Sequence, residues 1–189
     1  DAPSATYVIY KLLTEAQIPV SQTVAYYLYL GLVTDTDRFL TFDDGSALEV
    51  AAELLKTGID VKDLYSKLYR QTPSLLKFRA YAYAHYQLSE KAAYLVVRKE
   101  VYQSIGLTQN EIANEVSLLH NADGRPYCFF FIEKEDGKVR AEYRSDGTKD
   151  VRIIPEHFAN GGGHFSAAGA TLDNLDAVRE IIDFVDSLD

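Results

Sequence analysis

The chain has 189 residues, with 19 Lys+Arg against 28 Asp+Glu, a formal charge of −9. A hydrophobic share of 47% and a charged share of 25% are ordinary globular values and exclude low-complexity disorder, while the single cysteine, Cys128, excludes a disulfide scaffold. Acids exceed bases in both parts (10 to 6 over residues 1–70, 18 to 13 over 71–189), which excludes a broad basic face of the kind that holds nucleic acid without placed groups.

The first elements read as helices. Pro3 suits a first helical turn, and Tyr7, Ile9, Tyr10, Leu12 and Leu13 form an apolar stripe that ends before Pro19. Ser21 is the expected N-cap of a second helix, whose latter part, YYLYLGLV, is apolar on all sides and is expected to be buried, with Tyr26, Tyr27 and Tyr29 as buried wall. It empties into Thr34-Asp35-Thr36-Asp37. A third helix starts at Asp44 or Ser46, turns Ala51, Leu54 and Leu55 inward, and ends at Gly58. Asp60 caps a fourth helix, and Pro73 opens a fifth.

The pattern changes after about residue 88. AAYLVVRK reads as a strand, and LTQNEIANEVSLLHN as a helix with Thr108 and Glu111 in capping-box spacing. RPYCFFFIEKEDGKVRAEYRS is a hairpin around Asp136-Gly137. VRIIPEHF is a short helix or turn at Pro155, followed by NGGGHFSAAGA, a short strand at 171–172 and a closing amphipathic helix. The alternation predicts an α/β second domain. The expected organisation is residues 1–70, a connecting helix over 71–90, and residues 91–189. No apolar run reaches the ~18–20 residues of a membrane span. The expectation is a cytoplasmic protein, with a homodimer left open.

Three places can carry chemistry. Asp35 and Asp37 follow a buried element, so at least one carboxylate is expected near the interior, where pairing or a hard cation such as Mn²⁺ would hold it; the other reading is a helix cap with Arg38 as ion-pair partner. Gly161, Gly162, Gly163 and His164 read as a bend whose amides can cradle an anion, with Ser166, Ala167 and Ala168 suited to a tight helix start; the other reading is a flexible turn with an incidental histidine. Arg144, beside Ser145 at the end of the hairpin, presents a planar fork suited to phosphate. His85 reads as a packed or half-exposed helix residue, His120 as a helix-end dipole contact, His157 as a lesser site candidate, and Cys128 as core.

In this order the pieces resemble the DHH family of phosphoesterases. LYLGLVTDTDRF is similar to the family's fourth motif, and RSDG…NGGGHFSAAGAT to the signature of its C-terminal substrate-binding domain. Among its branches, the likeness is to the bacterial one that degrades very short RNA and dephosphorylates 3′-phosphoadenosine 5′-phosphate. The resemblance implies an α/β chain in which a helical remnant of the catalytic domain is joined to a small substrate-binding domain. It implies hydrolysis with two Mn²⁺ ions, Asp35 as a metal ligand, and Arg144, Ser145, Gly161, Gly162, Gly163 and His164 as substrate-binding residues. The substrate class is a short RNA or DNA oligonucleotide or a phosphorylated nucleotide. Asp37 and Asn160 fall where the family commonly has glycine. The family's upstream ligands, including the Asp-His-His triplet, have no counterpart here; the opening DAPSATYVIYKLL resembles the stretch just after that triplet. The expectation is therefore the C-terminal part of a larger enzyme, inactive alone. A non-catalytic nucleotide-binding module is the alternative.

Overall fold

The computed structural model describes residues 2–39 and 45–188, and the chain divides after Arg70 into two units. Asp44, one of two candidate starts for the third helix, lies outside the described residues.

In the first unit, side-chain caps set three helix starts. Helix α1 (Ala5–Glu15) begins at Ser4, whose hydroxyl accepts the Tyr7 amide at 2.9 Å, so Pro3 lies ahead of the helix rather than in its first turn. Ser21 caps α2 (Gln22–Asp35) at the Val24 amide, and Asp60 caps α4 (Val61–Leu68) at the Asp63 amide. Helix α3 (Ser46–Leu55) starts at Gly45 with no side-chain cap. The core gathers Leu28, Leu32, Val33, Val50, Leu54 and Leu64.

Three burial expectations need correcting. On α1, Tyr7, Tyr10 and Leu13 pack against this core, whereas Ile9 and Leu12 are exposed. The stripe covers two adjacent helix faces, and only the i, i+3 seam meets a neighbour. On α2, Tyr29 is buried but Tyr27 is 65% exposed, so the run is not buried on all sides. An all-apolar helix carries no phase to say which side its neighbours take. On α3, Ala51 and Leu54 face inward and Leu55 is exposed, because consecutive helix residues point about 100° apart.

The second unit is built on a six-stranded sheet of order β1-β2-β3-β4-β6-β5. The strands are β1 (Gln87–Leu88), β2 (Ala92–Val97), β3 (Tyr127–Glu133), β4 (Val139–Ser145), β5 (Gly161–His164) and β6 (Ala167–Leu172). Strands β2 and β3 are parallel and the other pairs antiparallel. The β2 to β3 crossover holds α6 (Lys99–Ile105), unforeseen from the sequence, and α7 (Gln109–Ala113), which carries the expected capping box. The helix expected from 107 onward stops at Ala113, and its remainder is a 3-10 turn, Val116–Leu119.

Each sheet face has its own core. Helices α8 (Ile153–Phe158) and α9 (Ala177–Ser187) cover one face over Phe129, Phe131, Ala141 and Tyr143. Helix α5 (Pro73–His85), α6 and α7 cover the other over Leu95, Cys128, Phe130 and Ile132. Helix α5 belongs to this unit: Phe78 and Ala82 are fully buried, and Arg79 reaches Glu115 through two bonds of 2.6 and 3.0 Å. Strand β3 is apolar from Tyr127 to Ile132 because both its faces are covered, and each buried phenylalanine contributes about 1.5–3 kcal/mol. Strand β4 alternates instead. Val139, Ala141 and Tyr143 point into the α8/α9 core, and Arg140, Glu142 and Arg144 point to the other face.

Candidate functional site

That second face is covered over only part of its width. The helices of the α5/α6/α7 core lie over β2 and β3, the 3-10 turn Val116–Leu119 reaches β4, and Asn110 of α7 meets Arg140; beyond them Gly162, His164 and Thr171 are exposed. The register sets its residues in rows. Arg144 pairs with Ala167, which pairs with His164; Glu142 pairs with Gly169, which pairs with Gly162; Arg140 pairs with Thr171. Partners across a sheet share a face, so Arg144 and His164 flank Ala167 on the open side, two strand spacings apart, about 10 Å.

The arginines are held in place. Glu142, almost fully buried, accepts from Arg140 Nε at 2.7 Å and from Arg144 Nη2 at 3.3 Å. Arg144 Nη1 donates to the Tyr143 carbonyl at 2.9 Å and the Ala168 carbonyl at 3.4 Å. Among the described residues, two of its five N–H donors make no bond, enough for one charge-assisted contact to an anion. Ser145 is buried, and its hydroxyl donates to the Lys149 carbonyl at 2.6 Å. His164 is exposed. One missed signal was legible: in VRAEYRS the period of two places Arg140, Glu142 and Arg144 on one face.

The triglycine segment differs from its expected form. It is an edge strand paired with β6, with Phe165 and Ser166 between the strands, and Ala167 and Ala168 begin a strand rather than a helix. Its glycines have different causes. A Cβ on Gly161 would stand 2.4 Å from the Gly169 carbonyl oxygen, and one on Gly163 would stand 2.3 Å from that of Ala167, so packing forbids side chains there. At Gly162 a Cβ would meet nothing within 4 Å. Its bare backbone lies on the open face, in the row of Gly169, where a ligand can approach closely.

The other histidines lie elsewhere. His157 stacks on Phe184 at 4.7 Å beside α9, on the covered face. His85 stacks on Tyr81 at 4.2 Å. His120 is within 2.9 Å of the Ser145 carbonyl through Nε2, so its partner is the end of a strand and not a helix end. Cys128 is core, and burial pushes its thiol up to about 12 against the opposing pull of Arg144.

In the first unit, Asp35 and Asp37 are both exposed, so neither carboxylate is held in the interior; the buried polar residue is Thr36. Thr36 Oγ1 donates to the Leu32 carbonyl at 2.7 Å and accepts the Phe39 amide at 2.9 Å. Asp37 pairs with Arg38 at 2.8 Å and caps no helix. It follows the C-cap Thr36, with φ +41°, its amide on the Thr34 carbonyl and the Arg38 amide on the Val33 carbonyl. These two bonds form a Schellman motif, whose left-handed position favours glycine. Among the described residues no three His, Cys, Asp or Glu side chains gather to hold a metal ion. Asp35 alone does not fit a two-ion centre, and no chemical step is assigned through one.

Three comparisons bear on this face. The DHHA1 domain model matches residues 90–188. The bifunctional oligoribonuclease and PAP phosphatase NrnA of Mycoplasma genitalium is 30% identical over 175 residues, 92% of this chain and 54% of that protein. The protein of the same name from Bacillus subtilis is 29% identical over 192 residues, 99% of this chain and 60% of that protein. The chain thus spans little more than half the length of these relatives. An exopolyphosphatase-related protein from Bacteroides fragilis shares the fold, with a TM-score of 0.87 at 20% identity over 98% of this chain and 57% of that one. Among the described residues no helix is long and apolar enough to cross a membrane.

Proposed function

We propose that this chain, which belongs to the DHHA1 family and to the DHH phosphoesterases, grips the phosphorylated end of a short oligoribonucleotide or of 3′-phosphoadenosine 5′-phosphate. One observation carries this reading: Arg144 and His164 stand in a single row on the partly covered face, beside the bare backbone of Gly162. The substrate class is supported by the relatives named as oligoribonucleases and PAP phosphatases.

Each group has a role in binding. Arg144, its fork held by Glu142 and two carbonyls, donates to phosphate oxygens. His164 adds a hydrogen bond from the outermost strand. Gly162 lets the ligand lie against the sheet. Ser145 acts from beneath, holding the loop after β4 through Lys149. In this reading the chain binds and positions the phosphate, and hydrolysis with Mn²⁺ needs ligands beyond Asp35.

Isothermal titration with 3′-phosphoadenosine 5′-phosphate and with a 5′-phosphorylated diribonucleotide, with and without Mn²⁺, tests this. Arg144→Ala is expected to weaken binding by about 1.5–3 kcal/mol, the loss of a charge-assisted bond. An unchanged Kd removes Arg144 from the site.

A further inference from the structure

Asn160 stands just ahead of the triglycine strand, and of the five asparagines in the chain it alone precedes a glycine. It is exposed, in the bend before β5, and among the described residues its side-chain amide makes no bond. The ladder fixes where the next amide points. Ser145 N donates to the Ser166 carbonyl at 3.0 Å, which sets the alternation along β6: Ala168 and Ala170 bond towards β4, Ala167 and Gly169 towards β5. His164 and Gly162 answer that second pair, so Gly161 turns its N–H off the free edge of the outermost strand. No Cβ shields this nitrogen, and the close Gly169 carbonyl keeps position 161 a glycine.

We propose that Asn160–Gly161 is a site of spontaneous deamidation, which puts a carboxylate beside the phosphate-binding face. The Gly161 nitrogen gives its proton to water and bonds to Asn160 Cγ. The Cγ–Nδ2 bond breaks, and ammonia leaves with a proton taken from solvent. Water then opens the five-membered imide on either side. Cleavage at Cγ gives aspartate, and cleavage at the main-chain carbonyl gives isoaspartate, whose backbone gains one methylene. Water is the only co-reactant. Residue 160 lines a groove of about 460 Å³ with Lys134, Arg140 and Gly169. It lies two residues from Gly162, about 7 Å along an extended strand. A new negative charge at that range opposes a dianionic phosphate and lowers its affinity about threefold at physiological salt. This consequence rests on the reading of the phosphate face given above; the conversion itself does not.

The test ages the intact chain in mildly alkaline buffer and follows it by peptide mass mapping and isoaspartyl-specific methylation. Replacement of NH₂ by OH at residue 160 should run at least about tenfold faster than at Asn110, Asn114, Asn121 or Asn174. Asn110 and Asn174 should be slow, since Arg140 and the Asp176 amide hold their side chains. The aged chain should bind 3′-phosphoadenosine 5′-phosphate about threefold more weakly than the fresh one, and fresh Asn160→Asp should show the same loss, shrinking at high salt. Asn160→Gln, whose longer side chain closes a ring slowly, should keep its affinity through the same ageing. If residue 160 converts no faster than the other asparagines, the modification site is refuted. If it converts and the aged chain binds as the fresh one does, while Arg144→Ala weakens binding, the link to the phosphate face is refuted and the binding reading stands. If Arg144→Ala also binds as the parent does, the binding reading falls with that link.

Discussion

The three glycines of β5 give different answers to the same substitution, and that contrast tests the assignment of faces. An alanine Cβ at Gly163 would lie 2.3 Å from the Ala167 carbonyl oxygen and 2.5 Å from the Ala168 Cα. At Gly161 it would meet the Gly169 oxygen at 2.4 Å and Pro155 Cβ at 2.9 Å. Backbone atoms cannot step aside as a flexible side chain can, so Gly161→Ala and Gly163→Ala should each cost about 1–3 kcal/mol, the usual penalty of overpacking. Gly162→Ala meets nothing within 4 Å and restricts the unfolded chain, so it should leave stability unchanged or raise it by about 0.4–1 kcal/mol. The assay is urea unfolding with hydrogen exchange read at the amides of β5 and β6, which isolates this hairpin from the first unit. Binding should follow the opposite order of harm. The bulkier Gly162→Val keeps the fold and should weaken 3′-phosphoadenosine 5′-phosphate at least tenfold, because its side chain stands where the ligand meets the sheet. If Gly162→Ala is as destabilising as Gly163→Ala, the open face has been misplaced. If Gly162→Val folds and binds as tightly as the parent, Gly162 has no part in ligand approach.

Three further outcomes are expected. Asp37→Gly should raise the stability of the first unit by up to ~1 kcal/mol in chemical unfolding, since Asp37 sits at φ +41° in the Schellman motif and its exposed pair with Arg38 gives little back; a loss of stability would contradict the cap. Tyr143→Phe should be neutral or stabilising by about 1–3 kcal/mol, because the Tyr143 hydroxyl is buried with no partner among the described residues, and a loss of more than ~1 kcal/mol would show that it is bonded. Native Cys128 should resist thiol alkylation at pH 8 and react on unfolding. Its folded value of about 12 lies above the ordinary ~8.5, so the neutral thiol's contribution is intact below pH 8.5 and declines as pH rises towards 12; rapid native alkylation would contradict its burial.

Much of this fold is written locally, and the exceptions share a cause. The hairpin β3–β4 shows in the sequence because β-rich runs flank Asp136-Gly137, and Gly137 takes the turn at φ +81°. The Ser21, Asp60 and Thr108 caps are likewise set by neighbours a few residues away. Strand β5 is not legible, since four residues of which three are glycine have neither β propensity nor an alternating pattern; only pairing with β6 makes them a strand. Helix α6 is too short to show a period, and its Tyr102 is placed by a bond to the Glu133 carbonyl, far along the chain. Of the candidate site, Arg144 and His164 were recognisable by type, but their shared row depends on strand order. Arg140 and Glu142 could have been read from the alternation of β4, because the side facing away from Val139, Ala141 and Tyr143 is polar throughout.

The central claim is that phosphorylated nucleotides meet this chain on the open face of β4, β6 and β5. Amide chemical-shift mapping during titration with 3′-phosphoadenosine 5′-phosphate tests it most directly. Saturable shifts should concentrate at Gly161–His164, at Ala167 and Gly169, and around Arg144, and should need about tenfold or more ligand in Arg144→Ala. Shifts confined to the α8/α9 face or to the first unit, or none that saturate, would contradict it.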